Sequence, residues 1–318
     1  MKKMFLSCFL LGFLILITVQ ILIYSTSILE SVRFSFSIWT NSIFPSLFPF
    51  LILSDFLIHF GFVELVGELC KPIMNFLFRV KGEEAFVFIM SIISGFPSNA
   101  KYTRQLYLDG ILTEKEASKL LMFTHFSNPL FILGTISAFL NDKKIGLMIL
   151  LCHYGTNLII GLLVRNYAPC EKEKEEFSIK KAIFKMHEKR IQSKESFGLF
   201  FYETITQSIQ TLLLILGVIT VFLILTTILN HTIQFSSFYQ SIFNGLLEMT
   251  QGLKYVSLLD ISIKKKAVLS TFLLSFGGLS VHLQMISILS DTKISYKPFF
   301  FARILHAILS SIFVFIAL

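Results

Sequence analysis

Ser94-Gly95-Phe96-Pro97-Ser98-Asn99-Ala100-Lys101 is the stretch that decides the fold. It is a glycine/proline break carrying hydroxyl, amide and ammonium groups, placed straight after the apolar run 85–93. About 11 residues of helix rise ~16 Å, roughly half of a ~30 Å hydrocarbon core. The break is therefore expected near the membrane midplane, where irregular backbone is tolerated only inside protein or beside a water-filled cavity. Ser98 is placed to cap a second half-helix that runs back out through Lys101 and Arg104 to Asp109-Gly110. Residues 85–110 are predicted to form a re-entrant hairpin whose tip helps build a substrate site.

A second copy lies further along the chain. A shift of 182 residues brings Gly95, Ser98, Asp109, Thr113 and Lys115 onto Gly277, Ser280, Asp291, Ser295 and Lys297 without a gap. Upstream, Gly61, Glu64 and Leu69 match Gly245, Glu248 and Leu253 after a slip of two residues. Both copies break an apolar helix and both follow an amphipathic stretch. Internal duplication around discontinuous helices is the usual sequence pointer to a transporter's binding site.

Working outward, 318 residues with 54% apolar content and a mean hydropathy of +0.74 describe a membrane protein. Residues 4–29 form an apolar span behind Lys2-Lys3, longer than a signal-peptide core and without a clear A-x-A site, so an uncleaved first helix is expected. The formal charge of +8 is dispersed over segment ends and one loop. That is a topology signal, and no nucleic-acid partner is expected. Cys8, Cys70, Cys152 and Cys170 have no metal or C-x-x-C spacing.

The fold class expected is an all-α polytopic membrane protein. It has two inverted repeats, each with an interfacial amphipathic helix, a re-entrant hairpin and a broken helix. Residues 1–35 hold the N-terminal transmembrane helix, which starts inside. Residues 36–164 form the first repeat, with a span at 38–60 kinked by Pro45 and Pro49, an amphipathic helix at 62–80, and the hairpin at about 85–110. Thr113 and Glu116 make a capping box that opens a helix through Phe126. Pro129 interrupts this helix and frees the carbonyl of His125 inside the membrane. Residues 145–164 span again. The charged loop 165–196 is expected to be a cytoplasmic, solvated connector. Residues 197–318 form the second repeat: a long helix at 197–230, one amphipathic segment at 238–255, a hairpin at about 266–290 and a last helix at 299–318. On this count Lys264-Lys265-Lys266 falls outside, against the charge rule.

The candidate substrate-binding residues are Ser98, Asn99 and Lys101 at the first tip and Ser280, His282 and Gln284 at the second. Helix N-termini with free N–H groups favour an anion, and a lysine at that depth is costly unless paired or hydrated. Its competing roles are pairing with Asp109 or Glu116, or snorkelling. Ser127 and Asn128 form a third element, read equally well as a kink whose side chains bond back to the helix. Of His125, His153, His282 and His306, only His282 is singled out, by its place at the tip. No metal motif, cofactor site or catalytic residue is expected: the G-x-S-x-G elbow, the P-loop and paired intramembrane aspartates are all missing.

The runs 95–101, 112–117, 126–135, 276–284 and 296–299 resemble the sporulation integral membrane protein YlbJ (SpoVV) family. The resemblance spans nearly the whole chain outside 165–196. This sequence has Ser98-Asn99-Ala100-Lys101 where the family pattern has Ser-Gly-Ala-Lys. The family belongs to the nucleoside-recognition Gate group, similar to concentrative nucleoside transporters. The resemblance implies movement of dipicolinic acid, a planar aromatic dianion, across the outer forespore membrane of endospore-forming bacteria. The expected partners are thus a small anionic substrate and the lipid bilayer, with the coupling ion and any sporulation membrane proteins left open. The alternatives are a nucleoside-type carrier and a non-transporting sporulation membrane scaffold.

Overall fold

The computed structural model describes residues 2–170, 178–192 and 196–318, and among these every regular element is helical. The chain begins with α1 (Lys2–Ile23), α2 (Ser25–Ile38), a π-helical segment at Trp39–Ile43 and α3 (Phe44–His59). The reversal expected between the first two spans is not there. Tyr24 N bonds to Gln20 O at 2.9 Å and Ile28 N to Tyr24 O at 3.0 Å, so helical pairing runs through the junction. The second apolar span accordingly covers Ser25–His59. Its π segment sits just ahead of Pro45, which has no N–H, and Phe44 N reaches back to Trp39 O instead.

There follow α4 (Phe62–Phe78), α5 (Glu84–Ser94), α6 (Ser98–Leu108), α7 (Glu114–Phe123), a π-helical segment at Phe131–Ile136, α8 (Ser137–Leu140), α9 (Lys143–Leu163) and α10 (Ile179–Gln192). The second half holds α11 (Phe197–Thr232), α12 (Ser237–Leu247), α13 (Met249–Leu258), α14 (Ile263–Phe276), α15 (Gly278–Ile288) and α16 (Tyr296–Ala317). Among the described residues, six stretches are long and apolar enough to cross a membrane: 4–23, 25–59, 143–163, 197–232, 263–288 and 296–317.

The two longest stretches lie antiparallel. Tyr24 stacks on His231, Ser31 meets Thr227 at 2.5 Å, Trp39 Nε1 donates to Leu212 O at 2.9 Å and His59 stacks on Phe200. By contrast α1 leaves Phe5, Leu14 and Leu22 largely exposed, a surface suited to lipid. The loop expected to be solvated carries, in its described part, a docked helix. On α10, Ala182 is buried, Lys185 Nζ lies 2.8 Å from Glu68 and Lys189 is 4.0 Å from Glu64 on α4. Lys172, Lys174 and Lys194 of that loop lie outside the described residues.

Two breaks position the site. At the first, α5 and α6 fold back on each other, with the Phe86 and Tyr102 rings 5.4 Å apart. Gly95 turns the chain at φ +77°, and a Cβ there would stand 2.4 Å from Asn128 N. At the second, only Gly277 separates α14 from α15, and the two helices do not pack along each other. One residue is too few for the reversal that Gly95-Phe96-Pro97 allows, so the break is a bend. The amphipathic stretch expected at 238–255 is itself split: Glu248 is extended, and its carboxylate caps α13 by accepting from Gln251 N at 2.8 Å. The second break seats there, where a Cβ on Gly278 would meet Gly245 O and Met249 N at 3.0 Å.

The residues matched at 182 take comparable places. Ser98 opens α6 and Ser280 lies in the first turn of α15, while Thr113 and Ser295 are the N-caps of α7 and α16. Thr113 and Glu116 form the expected capping box. The two halves are tied where Arg104 on α6 donates through Nε to Asp291 Oδ1 at 2.8 Å.

Two predictions follow from these contacts. Gly95→Ala, whose new methyl collides with backbone, should lower the apparent Tm in detergent by well over 5 °C or abolish folded protein, since a loss above ~2 kcal/mol shifts Tm by roughly that much. Gly110→Ala, at φ +72° with open space around it, should cost only about 1 kcal/mol. Equal losses would remove the steric argument. The second concerns pH. Hydrogen bonding by Arg104 holds the Asp291 carboxyl below its usual value, so the pair supports the fold above about pH 4. That support disappears as pH falls through the depressed value. The Tm gap between wild type and Arg104→Gln should be constant from pH 5 to 7 and narrow on acidification toward pH 3; a gap that widens there reverses the assignment.

Candidate substrate site

The site is built around the interruption between α7 and the π segment at 131–136. Pro129 cannot donate to His125 O, as the sequence requires, and the orphan carbonyl is taken by Asn157 Nδ2 at 2.9 Å and Arg303 Nη1 at 3.3 Å. Phe126 O accepts from Phe96 N of the first tip at 2.8 Å. Ser127 N donates to His153 Nε2 at 3.0 Å, and the Tyr154 hydroxyl lies 2.9 Å from Ser127 O. Asn128 sends Nδ2 to Ser46 O and Ser94 O, both at 3.1 Å, while Oδ1 accepts from Leu130 N at 2.7 Å. The polar equipment of Asn128 is thus spent on backbone, the kink role rather than ligand contact.

Three of the buried histidines resolve into fixed neutral tautomers. His153 accepts at Nε2, so its Nδ1–H donates to Ser275 Oγ at 2.9 Å. His306 accepts from Arg303 at Nδ1 and donates from Nε2 to His153 O at 2.9 Å. His282 donates from Nε2 to Phe276 O at 3.1 Å and accepts from the Tyr296 hydroxyl at 2.6 Å. It pins the second break from behind. His125 is the exception: fully buried, with no partner on either ring nitrogen among the described residues. Its ring stacks on Phe96 of the first tip, 4.6 Å away and 9° from parallel, and Nε2 is 3.8 Å from where a Cβ on Gly277 would stand. The imidazole therefore sits between the two breaks.

The tip residues share that condition. Ser98 Oγ, both polar atoms of the Asn99 amide, and Ser280 Oγ are buried without a hydrogen-bond partner. Ser98 does not cap α6 through its side chain; Pro97 holds the N-cap position and Ser98 is the first helical residue. Buried polar groups left unpaired are uncommon and costly, so a cluster of them, with hydroxyl, amide and imidazole donors beside two helix N-termini, has the chemistry of a polar ligand site.

Lys101 points elsewhere. Its Nζ lies 2.8 and 2.7 Å from the two oxygens of Asp55 on α3, a partner that sequence spacing did not suggest. The pair lines a polar cavity of ≈ 520 Å³ together with Asp109, Lys189 and Glu203. A separate cavity of ≈ 50 Å³ lies between the halves, walled by Phe96, Pro97, Ser127, Asn128, Val281 and Gln284, with Glu248 also on its lining. Of the residues predicted from sequence, Ser127, Asn128 and Gln284 line this space. Ser98, Asn99 and Ser280 lie buried in the adjoining tips, His282 is committed to Tyr296 and Phe276, and Lys101 faces the larger cavity.

Arg303 is the largest residue missed from sequence. It is fully buried, donates to Met122 O, His125 O, Asn157 Oδ1 and His306 Nδ1, and leaves Nε unpaired. Among the described residues no carboxylate pairs with it. Its signal was present, since an arginine inside the apolar span 299–318 is a functional candidate by cost alone. Glu248, in an apolar stretch, carried the same signal.

The Lys101–Asp55 geometry makes a testable statement. Lys101→Gln and Asp55→Asn should each lower the apparent Tm, by roughly 3–10 °C, and the double variant should lose less than the sum, because each single change strands a mostly buried charge. Strict additivity would release Lys101 from this pair.

Comparison with known proteins gives two findings. Residues 41–143 match the Gate family, described as nucleoside recognition. The sporulation integral membrane protein YlbJ of Bacillus subtilis (strain 168) is 34% identical over an alignment covering 95% of this chain and 80% of that protein. No solved structure matches.

Proposed function

The chain belongs to the family of the sporulation integral membrane protein YlbJ, and from that premise we propose that it is a membrane transporter holding a small anion between two helix breaks. The observation that carries the reading is the set of buried, unpartnered polar groups of Ser98, Asn99, Ser280 and the His125 ring around the two breaks. Behind them stands Arg303, a buried cation with no carboxylate partner among the described residues. An anion between the tips would meet hydroxyl, amide and imidazole donors, two helix N-termini and the field of that guanidinium.

The substrate class we infer is a small aromatic dicarboxylate, dipicolinic acid first among them, carried across the outer forespore membrane during sporulation. Phe96, Phe131 and Phe299 supply aromatic surface near the breaks, and the donors suit carboxylates. The matched positions 182 residues apart support two repeats, which we propose to be of inverted topology. In that arrangement the α5–α6 hairpin is re-entrant, and alternating access comes from one unit moving against the other. A second reading, carriage of nucleosides, is favoured by the Gate match alone.

Uptake of labelled dipicolinate into vesicles containing the purified chain tests the site. Ser98→Ala and Ser280→Ala together should reduce flux at least tenfold, the scale expected for one to two lost charge-assisted hydrogen bonds. Their expression and elution profiles should be unchanged. Undiminished flux refutes this site, and suppression of dipicolinate uptake by excess uridine favours the nucleoside reading.

A further inference from the structure

We infer that Glu248 is the proton-carrying acid of this transporter, loading one proton for each anion that passes. The inference rests on the transport reading above and adds the coupling ion to it.

Glu248 lies at the extended junction between α12 and α13, where it is 1% exposed. Glu248 is among the residues lining the cavity between the halves, and among the described residues it is the one titratable residue of that lining. Thr250 Oγ1 and Gln251 N both donate to Oε2. The Thr250 N–H also bonds to this carboxylate, and none of these bonds comes from a charged group, so a proton can still be added at Oε1. Among the described residues no lysine, arginine or histidine pairs with this carboxylate.

The charged groups on neighbouring elements are engaged elsewhere. On α13 itself Lys254 lies over the Phe34 ring at 4.2 Å. On α14, Lys264 lies over Phe315, Lys266 donates to Ser257 O, and Lys265 sits in the first turn. His282 on α15 is held by Tyr296 and Phe276, and on α11 Glu203 lines the larger cavity while His231 stacks on Tyr24. α8 and α12 bring no charged side chain.

A lone carboxylate in a mostly apolar wall is disfavoured as an anion and tolerated as an acid. An anion entering the same cavity sharpens that preference, because two negative charges would share one small space. The cycle balances simply. On the entry face Glu248 Oε1 takes a proton from water-borne hydronium, and the anion occupies the neutral cavity. After the halves rearrange the anion departs. The O–H bond then breaks, the proton passes to water on the exit face, and the carboxylate is restored.

The test uses the full chain in vesicles with a lumenal pH dye, the membrane potential clamped and empty vesicles as baseline, with labelled dipicolinate as probe. In wild type an inward proton gradient should raise dipicolinate flux several-fold, and a dipicolinate gradient alone should acidify the lumen. Glu248→Gln keeps the acceptor for Gln251 N but cannot release a proton, so its lumen should stay at constant pH and its residual flux should ignore the gradient. Glu248→Asp should retain acidification. Gradient-independent wild-type flux with a silent dye, or acidification persisting in Glu248→Gln, overturns the role of Glu248 and leaves the transport reading standing. If folded wild type moves no dipicolinate under any gradient, the transport reading falls and the coupling role with it.

Discussion

Backbone exposed inside a hydrocarbon layer must find its hydrogen bonds within the protein, and the arrangement of this chain around residues 124–130 follows from that constraint. Water is not there to satisfy an orphan amide or carbonyl, and each one left unpaired costs several kcal/mol. Proline at 129 makes such an orphan unavoidable. The partners come from separate elements: Phe96 N from the hairpin, Asn157 and His153 from α9, and Arg303 from α16. A helix interruption that looks like a weakness is therefore the point at which three distant parts of the chain are cross-tied. The same reasoning explains Asn128, whose amide stitches the break to the ends of α5 and the early turn of α3.

Placing an arginine among those partners has an electrostatic consequence. Arg303 supplies N–H groups to the carbonyls of Met122 and His125, the second shared with Asn157, yet brings a full charge that carbonyl dipoles only partly balance. Lys101 presents the opposite case, since Asp55 neutralises it at 2.7 Å. The lysine beside the conspicuous glycine-proline motif is thus balanced, whereas Arg303, about 200 positions later in the sequence, is balanced only by dipoles, as is the buried Lys119, which donates to the carbonyls of Arg79 and Arg165. Across the cavity the unpaired acid is Glu248. Among the described residues the interior between the halves thus holds a buried guanidinium without a carboxylate partner and a buried carboxyl without a cationic one.

Periodicity and breakers made the element types legible. The apolar runs, the Thr113/Glu116 box, the amphipathic helix after Gly61 and the freed His125 carbonyl each depend on a few neighbouring residues, so local sequence suffices for them. What stayed hidden depends on contacts across the chain. Nothing local says that Tyr24 continues a helix, that 179–192 docks on α4 through Lys185 and Glu68, or that Lys101 finds Asp55. The second break shows the limit most clearly. Gly277-Gly278 announces an interruption, but whether the chain reverses or bends depends on how many residues separate the two helices and on what the second one seats against. Among the histidines, position at the tip drew attention to His282, whereas hydrogen-bond satisfaction, which no sequence displays, distinguishes His125.

The cavity between the halves has room for a few water molecules and not for an aromatic ring bearing two carboxylates; small-molecule pockets are commonly 300 Å³ or more. Any passage of such a molecule therefore requires the walls to part, and the hydrogen bonds decide which walls can. Withdrawing the first tip would break Phe96 N from Phe126 O and take Ser94 O from Asn128, orphaning backbone groups on both sides. At the second break the tie to the centre is on α14, where Ser275 Oγ accepts from His153 Nδ1 at 2.9 Å, and among the described residues the side chains of Ser280 and Gln284 on α15 make no such bond. α15 meets the α12–α13 junction through close contact at Gly278 rather than through hydrogen bonds, and the left-handed Gly277 is a conformation that glycine leaves readily. Among the described residues α15, with Ser280, Val281 and Gln284, is accordingly the wall with fewer hydrogen bonds to the centre, and the backbone at 124–130 around Arg303 is the more heavily tied one.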